Sequence, residues 1–198
     1  MHDSKNILEV AALNPDYMGF IFYRNSKRYV GSNFSIPETL SEKIKRVGVF
    51  VDESIENILD EVSRHKLDFV QLHGNESVEM CEKLKDKTKV IKVFRVDELF
   101  DFNFTRQFNP CADFFLFDTK GETYGGTGRS FDWKLLRKYN QETPFFLSGG
   151  MSTDNIQSLK ALDDLNIYGL DFNSRVESEP GIKNMNTLNS IFSILNSF

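Results

Sequence analysis

Residues 46–72 read RVGVFVDESIENILDEVSRHKLDFVQL. Val47-Gly48-Val49-Phe50-Val51 is nearly continuous apolar, as a strand covered on both faces should be. Ile55, Ile58, Leu59 and Val62 then recur at helical spacing, and Phe69-Val70-Gln71-Leu72 is a second apolar run. Two such strands joined by a helix form a crossover unit with parallel strands, because an antiparallel pair would need only a tight turn. The same cycle extends in both directions along the chain. Upstream lies the run Tyr17–Phe22, and downstream lie Val90–Val96, Asp113–Phe117, Pro144–Leu147 and Tyr168–Phe172.

With Arg46–Val51 and Asp68–Leu72 this makes seven runs. Helices are expected between and around them: one capped by Asp3 or Ser4 with Ile7, Leu8, Ala11 and Ala12 on its apolar face, and one opened by Pro37 and running to Lys45. Others are expected through Val78, Cys81 and Leu84, over Leu99–Phe108 and Phe131–Tyr139, through Ile156, Leu159 and Leu162, and over Asn184–Asn196. Alternating strands and helices give an α/β fold, and the number of runs points to a TIM (β/α)8 barrel. That barrel needs eight strands, whereas the chain opens on a helix. Strand 1 is therefore expected to be missing, leaving seven.

The chain has 198 residues, enough for a full core, and no Pro/Gly-rich linker divides it, so residues 1–198 read as a single domain. A net charge of −5 and a pI near 5.3 argue against nucleic acid as a partner. Cys81 and Cys111 form no CxxC and no cluster with histidine, so neither a disulfide framework nor a metal site is expected. No apolar run approaches the ~18 residues of a membrane span, and Met1-His2-Asp3-Ser4-Lys5 lacks a signal-peptide character. The expected location is the cytoplasm, with no membrane partner.

In barrels the chemistry sits at the C-terminal ends of the strands. The residues there are Arg24, Lys27 and Arg28, Asp52, His73-Gly74, Asp97, Asp118-Thr119-Lys120, Ser148-Gly149-Gly150 and Asn173-Ser174-Arg175. Glycine-rich turns after the last two strands suit a phosphate, since glycine lets backbone N–H groups approach an anion and a following helix N-terminus favours it. A small phosphorylated ligand is indicated. Asp118 closes an apolar strand and reads either as a general acid or as a structural cap of the next loop. His73 reads either as an acid/base or as a structural, substrate-positioning group.

At these residues the chain resembles the phosphoribosylanthranilate isomerases of tryptophan biosynthesis. The likeness covers essentially the whole chain, through Asp16–Tyr23, Ser26–Val30, Val47–Val51, Val70–Gly74, Phe117–Lys120, Tyr124–Trp133, Leu147–Gly150, Asp171–Glu177 and Pro180–Lys183. It implies a barrel without cofactor, acting on a small phosphoribosyl substrate. The reaction implied is an Amadori rearrangement of N-(5-phosphoribosyl)anthranilate to 1-(2-carboxyphenylamino)-1-deoxyribulose 5-phosphate. By resemblance Asp118 is the acid that protonates the ribose ring oxygen, and Arg28 faces the anthranilate carboxylate, a match for a planar guanidinium fork. His73 and Asp171 would also meet the substrate. Gly149, Gly150, Asn173, Ser174 and Arg175 would form the phosphate cradle, and Gly126 would lie in the loop closing over it.

Two departures accompany this. Many relatives carry glycine where this chain has Arg175, which either adds a cation near the phosphate or points outward. The family also begins with a strand bearing a Lys-Val-Cys-Gly-like motif whose cysteine is the general base, and Met1 falls two residues after that cysteine. Neither Cys81 nor Cys111 belongs at the catalytic rim, so the general base is expected to be absent and activity impaired. The natural protein would then start upstream, or the fold would be an open barrel or borrow a strand. A monomer or a homodimer is expected, with unpaired edges at Tyr17–Phe22 and Tyr168–Phe172 open to association. Two other readings compete: another phosphosugar barrel enzyme, and a non-catalytic phosphate-ligand barrel.

Overall fold

The computed structural model describes residues 1–120, 131–140 and 142–197. Seven strands form one parallel sheet in sequential order: β1 (Tyr17–Ile21), β2 (Lys45–Phe50), β3 (Phe69–Leu72), β4 (Lys89–Val96), β5 (Phe114–Thr119), β6 (Phe145–Leu147) and β7 (Ile167–Leu170). The sheet curls into a half-barrel. Period-two alternation divides its side chains between two cores. Val47, Phe69, Ile91, Val93, Leu116 and Phe146 pack inside the curve with Tyr17 and Phe114. Residues such as Phe20, Phe50, Val70, Leu72, Phe94, Phe115 and Phe117 face outward into a larger core against the helices.

The first and last strands do not pair with each other. At their N-terminal ends the Tyr17 and Tyr168 hydroxyls share a hydrogen bond of 3.0 Å and their rings meet edge to face. Met1 is buried further along this seam, its backbone nitrogen 3.3 Å from the Gly19 carbonyl oxygen.

Among the described residues four α-helices stand where caps and periodicity favour them. In α1 (Ser4–Ala11) the Asp3 carboxylate accepts from Asn6 N at 2.7 Å; Ser54 opens α2 (Ile55–His65), Ser77 opens α3 (Val78–Lys85) and Asn184 opens α4 (Met185–Leu195). Each cap satisfies a backbone N–H that the first turn leaves without an intrahelical partner.

Other expected helices take a different form. Pro37–Lys45 is a chain of turns, with Leu40 N on Pro37 O and Ile44 N on Ser41 O. Its buried Ile36, Leu40 and Ile44 mimic a helical stripe at a spacing of four, but isolated three-residue turns put the same side chains inward. The segments after β4, β5 and β6 are 3-10 helices: Phe102–Phe108, Trp133–Lys138 and Ile156–Leu162. Their inward residues recur every third position, as Phe102, Thr105 and Phe108, then Trp133, Leu136 and Tyr139, then Ile156, Leu159 and Leu162. A strict spacing of three keeps one face of a 3-10 helix, which has three residues per turn. A short antiparallel ribbon, β8 (Glu177–Glu179) with β9 (Ile182–Lys183), precedes α4. Among the described residues no helix is long and apolar enough to cross a membrane.

Candidate active site at the mouth of the half-barrel

A cavity of about 830 Å3 runs from the inside of the sheet to the C-terminal ends of the strands. The alternation that puts Phe114 and Leu116 inside β5 puts Asp118 inside as well, and Phe69 in β3 does the same for Gln71 and His73. His73 Nε2 stands 3.5 Å from Asp118 Oδ2. Asp118 Oδ1 accepts the backbone N–H of Thr119 at 2.8 Å, which fixes the carboxyl plane.

On the neighbouring strand end, the Ser148 hydroxyl donates to Asp171 Oδ2 at 2.8 Å. Gly149 and Gly150 follow with φ of +93° and +69°, a conformation that side chains disfavour. A Cβ on Gly149 would lie 2.9 Å from Thr119 N and collide with Thr119 Oγ1. This glycine is thus required by the close approach of the turn to β5, beside Asp118. The Asn155 amide holds the turn by donating to the Gly150 carbonyl oxygen at 3.0 Å. The helix expected behind it is the seven-residue 3-10 segment beginning at Ile156. Gly149→Ala is expected to lower the melting temperature by several degrees and to weaken phosphoester binding more than tenfold, checked by thermal melts and calorimetry. The positive φ alone costs about 1–2 kcal/mol.

Desolvation lifts the Asp171 carboxyl above its ordinary range, helped by the nearby Asp118 charge and opposed by the Ser148 bond, Lys183 and His73. Between the unfolded carboxylate pKa and this higher folded value, the native state holds more protons than the unfolded one, so stability falls as pH rises through that window. Asp171→Asn, which can still accept from Ser148, is expected to raise the melting temperature by a few degrees at pH 8 and to change it little at pH 3. Melts at both pH values check this.

Arg28, Asn173, Ser174 and Arg175 also line the cavity. Arg28 is not free to meet a ligand with its whole fork. Its Nε donates to Glu177 Oε2 at 2.8 Å and its Nη2 lies 2.7 Å from the same oxygen, leaving the other guanidinium N–H groups for a ligand. Lys183 Nζ donates to Glu177 Oε1 at 3.2 Å, to Asn173 Oδ1 at 2.9 Å and to Asn173 O at 3.1 Å. The Asn173 side-chain oxygen thus serves Lys183, a modification of its expected place in the cradle. Ser174 opens the 3-10 turn Ser174–Val176, and Arg175 stands exposed beside it. Gly126 lies outside the described residues.

Sequence reasoning assigned no role to Glu177, Lys183, Gln71 or the buried pair Glu76–Lys92. Lys92 Nζ donates to Glu76 Oε2 at 2.6 Å and to the Gly74 carbonyl oxygen at 2.9 Å, and Glu76 Oε1 accepts from Asp52 N and Gly74 N. This pair clamps the turn that carries His73. A signal for Gln71 was present in its position two residues before His73, on the same face. The ion pairs join residues distant in sequence and leave no local pattern. Cys81 and Cys111 are both buried away from the cavity, and desolvation pushes both thiols up.

The curled parallel sheet, with a carboxyl, an imidazole and a glycine turn gathered at its C-terminal strand ends, defines a β/α-barrel enzyme. Residues 1–193 match the family model of N-(5'-phosphoribosyl)anthranilate isomerase, and the chain belongs to that family. It is similar to curated isomerases of that name from Parabacteroides distasonis, 44% identical over 192 residues covering 95% of this chain and 87% of the relative. The isomerase from Phocaeicola vulgatus is 40% identical over 184 residues, covering 92% and 88%. The crystal structure of the Thermotoga maritima enzyme is 32% identical, with a TM-score of 0.84 over 100% of this chain and 96% of that one. A phosphoribosyl anthranilate isomerase in complex with reduced 1-(o-carboxyphenylamino)-1-deoxyribulose 5-phosphate is 30% identical, with a TM-score of 0.83 over the same shares.

Proposed function

We propose that this mouth binds N-(5-phosphoribosyl)anthranilate and directs its Amadori rearrangement to 1-(2-carboxyphenylamino)-1-deoxyribulose 5-phosphate. The observation that carries the reading is the placement of Asp118, with His73 beside it, next to the Gly149-Gly150 turn in a single cavity. In this reading the turn, with Ser174 and Arg175, receives the phosphate. The N–H groups of Arg28 not taken by Glu177 receive the anthranilate carboxylate. Asp118 then protonates the ribose ring oxygen, the C1–O bond breaks, and a Schiff base forms with the anthranilate nitrogen. Loss of the C2 proton gives an enolamine, which tautomerises to the ketone.

That last proton needs a base. The cysteine that the resemblance assigns to the task has no counterpart at this rim, since Cys81 and Cys111 are buried elsewhere. We therefore expect the 198-residue chain to bind its ligand well and turn over slowly, in the cytoplasm, as one folding unit. A related Thermotoga maritima enzyme is dimeric, and a monomer or homodimer fits this chain. The test is calorimetry with the reduced product analogue together with single-turnover loss of anthranilate fluorescence. Absence of analogue binding would refute the proposal. Tight binding without any turnover would favour the non-catalytic phosphate-ligand reading.

A further inference from the structure

Gln71 is 9% exposed, projects into the inner face of the sheet, and places its amide nitrogen 3.1 Å from His73 Nδ1. The opposite ring nitrogen, Nε2, is buried without a hydrogen-bond partner of good geometry and is aimed at Asp118 Oδ2 from 3.5 Å. An amide N–H can only donate, so Nδ1 must accept and a neutral ring must carry its proton on Nε2. Once Asp118 has given up its proton, its carboxylate repels a lone pair on Nε2 and attracts an N–H there. The turn that carries the ring is fixed independently, by the Glu76–Lys92 clamp on Gly74 and by His73 N on the Phe50 carbonyl oxygen.

We propose that Gln71 is a positioning residue that sets the tautomer of His73, so that an Nε2–H donor waits for the carboxylate left when Asp118 gives up its proton. No proton passes through the imidazole: the Asp118 proton goes to the ring oxygen, and His73 keeps its own while its Nε2–H closes on Asp118 to form a hydrogen bond. The arrangement favours the charged product of proton donation over the starting acid, a differential interaction of the kind that speeds a step. The inference rests on the reading of Asp118 as the acid, but its first readout does not.

The experiment is nitrogen-15 NMR of the full chain with labelled histidine, which has only His2, His65 and His73 to assign. At neutral pH His73 is expected as the Nε2–H tautomer. In Gln71→Met, similar in volume, it is expected to become a mixture. In Gln71→Glu it is expected to move its proton to Nδ1, and His2 and His65 should not change in either variant. Single-turnover rates should fall about tenfold in Gln71→Met, the size of one hydrogen bond to a charged group, with analogue affinity nearly unchanged. An Nδ1–H tautomer in the unmodified chain, or a tautomer indifferent to both substitutions, would overturn the proposal. The expected tautomer combined with an Asp118→Asn variant as fast as the parent would refute the acid reading instead and leave the tautomer assignment standing.

Discussion

Replacing Glu177 with glutamine is expected to cost the fold about 3–5 kcal/mol, the usual penalty for removing one member of a buried ion cluster. The Glu177 side chain is 4% exposed and faces two cations, Arg28 at 13% and Lys183 at 9%. Without the carboxylate, two positive charges remain desolvated and repel each other. Burial alone would raise the Glu177 carboxyl, but the Arg28 hydrogen bond and the charges of Lys183 and Arg28 outweigh it and hold the group below its ordinary range. A depressed carboxylate contributes stability above its unfolded pKa and loses it as pH falls through the folded value. The deficit of Glu177→Gln should therefore be full at pH 7 and shrink in acid. At about 2–4 °C per kcal/mol for a chain of this length, the melting temperature should drop by about 6–20 °C. Urea unfolding of parent and variant, at pH 7 and pH 4, measures both effects. A difference below about 1 kcal/mol at pH 7 would mean that the cluster is screened like a surface pair.

The second large effect belongs to catalysis. Asp118→Asn should lower the single-turnover rate by about 100- to 10,000-fold, the range that a positioned general acid supplies. The asparagine oxygen can still accept from Thr119 N, so the local backbone should hold and the reduced product analogue should bind within about tenfold of the parent, the cost of one altered hydrogen bond. A rate lost together with binding would point to a structural cap, the reading that the sequence alone left open for this residue. A rate preserved would remove Asp118 from the acid role.

How far the sequence reaches can be judged residue by residue. The seven strands are legible because each is a short apolar run between helix patterns, and a parallel sheet covered on both faces permits little else. Asp118 and His73 follow from counting inward positions past those runs. The 3-10 segments were not legible, since a spacing of three is also one of the two neighbour spacings of an α-helix; the buried Phe102, Thr105 and Phe108 fit either helix type. The ribbon at Glu177–Lys183 has no apolar alternation at all, and what orders it is the charge cluster. Arg28 and Glu177 stand 149 positions apart, so their pairing exists only once the sheet has curled. Lys92 is a related case: a lysine inside an apolar strand reads as solvent-facing, yet Glu76 and two backbone carbonyls, those of Leu72 and Gly74, make it an internal brace.

The phenol pair at Tyr17 and Tyr168 carries a mechanical consequence. A cylinder whose ribbons all pair around the circumference resists opening with every ladder bond at once. This sheet is a split ring, and its gape depends on what bridges the cut. The two hydroxyls clasp it at the floor, while near the rim the bridge is the salt-linked group of Arg28, Glu177 and Lys183 with Met1 wedged alongside. Because Arg28 and Lys183 also border the cavity, a guest that engaged Arg28, as proposed above, would pull on the ring's upper closure, and occupancy of the mouth would then be coupled to curvature of the scaffold through one guanidinium.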